Sequence, residues 1–216
     1  MLLLFVEISS TLVNSLEKVH TTARYMKIFN TIGSIVVDLT ETVVIGLSLF
    51  LIVYLFLVQP HQVNGSSMVP NFESGEYVLT DKVSYRFDSP QRGDVVVFHA
   101  PPEAKCPTGT GCDFIKRVIG VPGDTIEVKE NAYFVNGQKL AESYIPESFA
   151  INPGAYTRDR VVVLKDNEYF VSGDNRPYSS DSRAWGPVDK SEIVGKAFFV
   201  YFPLDSIRKV QAITYP

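Results

Sequence analysis

The sequence predicts a mainly β fold, in which an antiparallel, barrel-like sheet domain follows a single transmembrane helix. One uncharged apolar run, Thr42–Val58, is close to the ~20 residues needed to cross a bilayer once flanking polar residues are included. After this run the chain changes to short β-branched and aromatic stretches separated by Gly, Pro, Asn and Asp. Between two of these stretches lies Asn136–Gly137, the strongest short signal for a β-hairpin.

The domain organisation follows from these runs in chain order. We expect residues 1–40 to be a cytoplasmic segment, residues 41–58 to be the transmembrane helix, and residues 59–216 to be one all-β domain. The total length of 216 residues fits this division, because single domains commonly contain roughly 100 to 200 residues. The apolar part of residues 1–13 is too short to span a bilayer, so this stretch is expected to be an interfacial helix or a tail.

Two other interpretations of the apolar run are disfavoured. A buried core helix would carry polar residues at helical spacing, and this run has few. A cleaved signal peptide would be shorter, lie nearer the start and end at a small-residue cut site, whereas Gln59, Pro60 and His61 follow here.

The charges that flank the run predict its orientation. Lys18, Arg24 and Lys27 precede it, and no Lys or Arg follows it until Lys82. Because positive residues stay on the cytoplasmic side, the N-terminus is expected in the cytoplasm and the β-domain outside it, with the chain crossing the plasma membrane once.

Composition narrows the classes of partner. The formal net charge is −4, so the chain lacks the excess of basic residues that binds phosphate backbones, and no nucleic acid is expected as a partner. No cofactor is expected either.

The stretch Val161–Val171 is interpreted as a second hairpin, and the segment from Leu204 onward is assigned no role.

Cys106 and Cys112 bracket a short loop before a strand-like run. A disulfide between them is chemically permitted if the β-domain lies outside the cytoplasm, and two free thiols remain the alternative. Two cysteines alone cannot close a zinc site, and His20, His61 and His99 are too scattered to complete one, so no metal site is expected.

Ser67, in the run GSSMVP, is the candidate nucleophile. A serine hydroxyl needs a base within hydrogen-bond reach, and a lysine whose pKa is lowered by burial can serve. A Ser-His-Asp triad would have to recruit His61 or His99, and His99 ends a strand with no partner that the sequence identifies. In the apolar strand FIKRVIG, alternation sends Lys116 and Arg117 to opposite faces, although a single lysine in a strand is commonly a solvated edge charge.

Four segments occur in a specific order behind the apolar helix: GSSMVP, RGDVVVF, KRVIGVPGD and GDNRPYSSDSR. Each is common alone, but together they resemble the conserved boxes of the bacterial type I signal peptidases, the serine-lysine leader peptidase family, over roughly residues 40–203. The resemblance implies an extracytoplasmic catalytic domain that removes signal peptides from exported preproteins. It would cut after small residues at −1 and −3 through a Ser/Lys dyad and an acyl-enzyme intermediate.

The resemblance also implies roles for individual residues. Ser67 matches the nucleophile, Lys116 matches its general base, and Ser179 matches the serine that orients the lysine. Asp181 and Arg183 match residues that hold the active-site framework.

Two further positions complete the implied framework. Asp174 is expected to pair with Arg117. Some family members carry a serine two residues before the nucleophile, and its hydroxyl helps to stabilise developing negative charge, but here the position is Gly65. We therefore expect the Ser67 backbone N–H to act with a neighbouring amide or a water.

Small substrate residues suit shallow apolar pockets. The resemblance implies pocket walls from seven residues: Val63, Met68, Phe72, Val78, Val97, Phe114 and Ile115. For two of these, Val78 and Val97, an ordinary core position fits the sequence as well as a pocket wall does. The expected partners are preprotein signal peptides and the lipid bilayer, and the chain is expected to be a monomer.

Two other functions remain open. A serine-lysine protease that cuts itself, such as the repressors of the DNA-damage response, would need a DNA-binding domain, and a transmembrane helix argues against one. A membrane-anchored β-domain without activity would be expected to have lost Ser67, Lys116 or Ser179, and all three are present.

Overall fold

The computed structural model describes residues 2–104, 112–211, 213 and 215. The chain divides into two compact units, Met1–Ile52 and Val53–Pro216.

The long helix α1 runs over Leu2–Phe56. Its portion Asn30–Phe56, 27 residues, is long and apolar enough to cross a membrane, and none of its most apolar window is buried, unlike a soluble core helix. The span that the sequence predicts therefore lies on this helix, except at its end. The helix stops at Phe56 because Val58 pairs with Asp81 and begins the first strand.

The second unit consists mainly of strands, and every strand pair in the described residues is antiparallel. The strands are β1 Val58–Gln62, β2 Tyr77–Asp81, β3 Val95–His99, β4 Asp113–Gly120, β5 Thr125–Lys129, β6 Ala132–Val135, β7 Gln138–Lys139, β8 Val162–Val163, β9 Glu168–Ser172, β10 Val188–Asp189, β11 Ile193–Phe202 and β12 Arg208–Lys209. Two short helices, α2 Ser84–Phe87 and α3 Ser182–Trp185, and four single 3₁₀ turns connect them.

These strands form two sheets. The larger sheet has the order β1-β2-β11-β3-β4-β9-β10, with β12 paired to β11, and the smaller has the order β7-β6-β5-β8. The mainly β, antiparallel fold that the sequence predicts behind one apolar helix is confirmed.

Burial along the strands shows where the core lies. In β2 and β5 buried residues alternate with partly exposed ones, as expected for strands with one covered face. In β3 the run Val95–Phe98 is buried throughout, so both faces of this central strand are covered. Ile119 and Phe170 of the larger sheet pack with Ile126 and Tyr133 of the smaller one in a shared core cluster.

One of the two predicted hairpins is confirmed. Asn136 and Gly137 connect β6 to β7 with φ values of 52° and 79°, the left-handed conformation that a two-residue hairpin turn requires. The interpretation of Val161–Val171 as a hairpin is wrong. Here β8 pairs with β5 in the smaller sheet and β9 with β4 in the larger one, so the chain crosses between sheets instead of folding back.

The segment after Leu204, to which the sequence assigned no role, supports the loop between β1 and β2. Strand β12 pairs with β11, and the Arg208 guanidinium forms two hydrogen bonds with the Glu76 carboxylate at 2.6 and 2.8 Å. It also donates to the Asn71 carbonyl at 2.7 Å. Val63 and Glu76 close the base of the same loop through a backbone hydrogen bond of 2.8 Å.

The shared core cluster is expected to dominate the stability of the β-domain. Phe170 is fully buried, so Phe170→Ala should lower the free energy of unfolding by about 3–5 kcal/mol through lost burial and a residual cavity. Urea unfolding of the full chain in detergent, followed by Trp185 fluorescence, measures this loss. The matched control is Phe87→Ala, since Phe87 is 84% exposed, and an equal loss in both variants would contradict the assignment.

Candidate active site

Ser67 and Lys116 are brought together although they lie 49 residues apart. Ser67 is in the loop that follows β1, and Lys116 is in β4, opposite Val96 of the buried strand β3. The Lys116 Nζ lies 2.8 Å from the Ser67 Oγ and donates to the Ile115 carbonyl at 2.9 Å. The distance between amine and hydroxyl permits direct proton transfer.

Burial controls the charge of this amine. Lys116 is 4% exposed, and its Nζ lies 5.2 Å from the centre of the Phe114 ring. Loss of hydration lowers the pKa of the Lys116 amine from its ordinary value of 10.5 to about 8, while Asp181 and Asp174 oppose the shift. A substantial fraction of the amine is therefore neutral at mildly alkaline pH.

Arg117 points to the opposite face of β4, as strand alternation predicts, and pairs with Asp174, as the resemblance implies. Its Nε and Nη2 donate to the two carboxylate oxygens at 2.9 and 2.7 Å, and its Nη1 donates to the Gly93 carbonyl at 2.9 Å. The Asn71 side chain donates to the same carboxylate at 2.9 Å, and the Tyr144 ring lies 4.5 Å from the guanidinium. This bidentate pair fixes β4 against the loop that carries Asp174.

Asp181 and Arg183 form a second buried pair. The guanidinium donates from Nε to one carboxylate oxygen and from Nη2 to the other, both at 2.8 Å. Asp181 also caps α3 and accepts from the Ser172 hydroxyl at 3.0 Å and the Gly173 N–H at 3.1 Å. Burial would raise the pKa of the Asp181 carboxyl, but the hydrogen bonds and charge of Arg183, the nearby Ser179 hydroxyl and the Gly173 N–H hold it below its ordinary value.

Ser179 lies near the pair but does not bond the lysine. Its Oγ is buried and makes no hydrogen bond of normal geometry within the described residues, although it lies close enough to Asp181 to help lower the pKa of that carboxyl. It packs against Gly173, where a Cβ would overlap both the Ser179 Oγ and the Ser67 carbonyl oxygen. The role of Ser179 in orienting Lys116 therefore stays a prediction.

A groove of about 560 Å³ opens beside Ser67 and Lys116. Five of the seven predicted pocket residues line it: Val63, Val78, Val97, Phe114 and Ile115. Met68 and Phe72 do not, and belong instead to a buried core cluster that also contains Val63 and Val78. The same groove has polar walls from His61, Gln62, Asn64, Asp113 and Ser180, which the sequence did not indicate.

Gly65 adopts φ +93°, a conformation that L side chains rarely adopt, and its N–H donates to the Ser74 hydroxyl at 3.1 Å. A Cβ added there would meet nothing within 4 Å. Backbone conformation rather than crowding therefore favours glycine at this position.

The histidines do not form a triad with Ser67. His61 Nε2 and His99 Nδ1 lie 3.4 and 2.7 Å from the Asp113 carboxylate, and in the described part of the chain neither ring bonds the Ser67 hydroxyl.

Cys112 is disulfide-bonded, which excludes a free thiol there, and Cys106 lies outside the described residues.

Two framework contributions were missed by the sequence reasoning. Arg176 forms two hydrogen bonds of 2.6 Å with Glu142, a residue with no recognisable motif around it. Asn175 bonds the loop that carries Ser67, and its place in the GDN tripeptide beside Asp174 was the available signal.

The lowered pKa of Lys116 makes a prediction about stability. The unfolded chain binds this proton more tightly, so burying the amine destabilises the folded state below about pH 8, and the penalty disappears as the pH rises toward 10.5. The unfolding free energy of the wild type minus that of Lys116→Met should therefore rise by about 2–3 kcal/mol between about pH 7 and about pH 10. Urea unfolding at both pH values measures this difference, and a constant difference would show that the pKa is not lowered.

Comparisons with known proteins show which family the chain belongs to. A family model described as signal peptidase, peptidase S26, matches residues 36–202. A probable signal peptidase I-1 of Synechocystis is 39% identical over 173 residues, covering 79% of this chain and 85% of that protein. Signal peptidase IB of Staphylococcus aureus is 34% identical over 179 residues, covering 77% of this chain and 90% of that protein. A solved signal peptidase I of Enterococcus faecalis, 30% identical, covers 50% of this chain and 97% of that chain with a TM-score of 0.40. The family model and the two sequence relatives show that the chain belongs to the signal peptidase family, peptidase S26.

Proposed function

We propose that this chain removes N-terminal signal peptides from exported preproteins, with Ser67 as nucleophile and Lys116 as general base. The observation that carries the proposal is the 2.8 Å distance between the Ser67 Oγ and the buried Lys116 Nζ beside an open groove. Membership of the peptidase S26 family supplies the reaction class and the class of substrate.

The reaction begins with proton transfer. Neutral Lys116 takes the Ser67 proton as the Oγ attacks the scissile carbonyl carbon, and a tetrahedral oxyanion forms. Collapse of this intermediate breaks the C–N bond, and the Lys116 ammonium gives its proton to the departing amine of the mature protein. The signal peptide is then held as an ester on Ser67. Lys116 next takes a proton from water, the resulting hydroxide attacks the ester, and Ser67 regains its proton as the signal peptide leaves.

Two carboxylates stabilise the protonated form of Lys116 that arises during this reaction. Asp181 and Asp174 raise the pKa of Lys116, opposing the effect of burial, so they stabilise the ammonium that forms when Ser67 is deprotonated. Each carboxylate already binds an arginine, Arg183 or Arg117, and neither takes up a direct ion pair with the lysine. The amine can therefore accept a proton transiently and release it again.

The groove suits an extended peptide with small apolar residues. Its apolar wall next to the reacting atoms, which includes Val63, Val97 and Ile115, favours small side chains at −1 and −3. We expect the peptide to add main-chain hydrogen bonds along the strand edges near Ser67 and Lys116, which makes binding insensitive to the rest of the sequence.

The apolar helix gives the proposed reaction its location. One such helix, Asn30–Phe56, occurs within the described residues, and the basic residues before it favour a cytoplasmic N-terminus and an extracytoplasmic β-domain in the plasma membrane. A peptidase anchored this way meets preproteins, themselves held in the bilayer by an apolar segment, at a raised effective concentration. We propose a cytoplasmic segment over residues 1–40 and a catalytic domain from residue 59 onward on this basis, with the membrane-spanning helix ending at Phe56 and a monomer as the working unit.

Cleavage by variants tests the proposal. The full chain in proteoliposomes should process a preprotein, and both Ser67→Ala and Lys116→Ala should reduce the rate by at least ~10³-fold, because the two groups act as a unit. Processing is measured by gel mobility and by sequencing of the new N-terminus.

The matched controls remove the same residue types elsewhere. Ser148→Ala and Lys129→Ala change exposed side chains and should cleave at the wild-type rate. Equal processing by all five proteins would reject the proposed function.

A further inference from the structure

Asn175 binds both peptide groups that flank Ser67. Its side-chain Nδ2 donates to the Ser66 carbonyl at 2.9 Å, and its backbone N–H donates to the Ser67 carbonyl at 2.9 Å. These bonds join segments 109 residues apart, and Asn175 itself is buried. The nucleophile is therefore held between two anchored peptide planes.

The first of these bonds determines where the Ser67 N–H points. The Ser66–Ser67 peptide bond is trans, so its carbonyl and its N–H point in opposite directions. Because Asn175 holds the Ser66 carbonyl oxygen, the Ser67 N–H faces away from Asn175. Within the described residues this N–H has no acceptor, so it is available to a substrate.

Other contacts indicate that the side chain of Asn175 has a specific task. The only further donor to the Ser66 carbonyl among the described residues is the Val69 N–H, at a longer distance of 3.3 Å. The Asn175 Oδ1 is buried and has no hydrogen-bond partner in the described part of the chain, so the bond from Nδ2 to the Ser66 carbonyl is the one side-chain hydrogen bond that Asn175 makes there. Gly173, which has no Cβ, permits this close approach of the two loops.

We propose that Asn175 is a positioning residue for the oxyanion hole, one that orients the Ser67 backbone N–H toward the carbonyl oxygen of the substrate. The inference rests on the proposed function of Ser67. Gly65 has no side chain to donate a hydrogen bond, so this amide carries a larger share of the stabilisation of the tetrahedral intermediate.

The test removes the side-chain bond and keeps the backbone one. Asn175 has φ −80°, which any residue adopts, so Asn175→Ala and Asn175→Leu retain the N–H that binds the Ser67 carbonyl. We expect kcat for preprotein cleavage to fall by about 10- to 100-fold, less than complete removal of an oxyanion donor, with KM changed by less than about twofold. The acidic limb of the pH–rate profile, which reports Lys116, should stay in place.

The matched control is Asn136→Ala in the β6–β7 turn, where an alanine at φ 52° is strained. This variant should lower the thermal unfolding midpoint and leave kcat unchanged. Unchanged kcat in both Asn175 variants, a rise in KM alone, or a shifted acidic limb would overturn the inference. The proposed function fails separately, if wild type does not cleave or Ser67→Ala cleaves as fast as wild type.

A second measurement uses the wild type alone and covers the case in which the variants do not fold. A crystal structure with a peptide boronate bound covalently to Ser67 should place one boronate oxygen about 3 Å from the Ser67 backbone nitrogen. The Asn175 Nδ2 should remain bonded to the Ser66 carbonyl. A boronate oxygen that does not contact this amide, or a rotated Ser66–Ser67 peptide, would contradict the proposal.

Discussion

The burial of one amine, Lys116 Nζ, is the constraint on which the rest of the site depends. Without loss of hydration a lysine stays protonated near neutral pH and cannot take the Ser67 proton. The site also needs nearby negative charge, because the ammonium forms during the reaction. The structure meets both needs by placing Asp174 and Asp181 near the amine while arginines occupy their oxygens. A carboxylate bonded directly to Lys116 would raise its pKa and hold the proton.

The fold supplies this arrangement by joining three distant parts of the chain. Strand β4 lies between β3 and β9 in the larger sheet, which buries Lys116 and directs it toward the loop after β1. The segment from Gly173 to Arg183 then fixes the two parts of the chain that carry Lys116 and Ser67. Asp174 binds β4 through Arg117, and Asn175 binds the loop that contains Ser67. Its buried hydrogen bonds make the geometry rigid, and rigidity is what a preorganised site requires.

Part of the site was predictable from strand alternation, and part from the resemblance of four short motifs to a known family. The alternation in β4 predicted that Lys116 and Arg117 point to opposite faces, and the family resemblance implied the pairing of Asp174 with Arg117, which the structure shows. The pairing of Asp181 with Arg183 was not predicted. The predictions that the structure corrects depended on packing between distant parts of the chain. Met68 and Phe72 are as apolar as the groove residues, and only the tertiary structure shows that they face the core. The residues around Asn167 form a turn, but a turn signal does not specify which sheet each flanking strand joins. The contribution of Arg208 was missed because its partner, Glu76, lies 132 residues away.

The most direct test of this account is the titration of Lys116 itself. With ¹³C-labelled lysine in the full chain, the ε-carbon resonance of Lys116, assigned by its loss in Lys116→Arg, reports the protonation of the amine as the pH is changed. The account predicts a midpoint at about 8. A midpoint near 10.4, the value of a hydrated lysine, would mean that the amine is not desolvated and would contradict its role as the base.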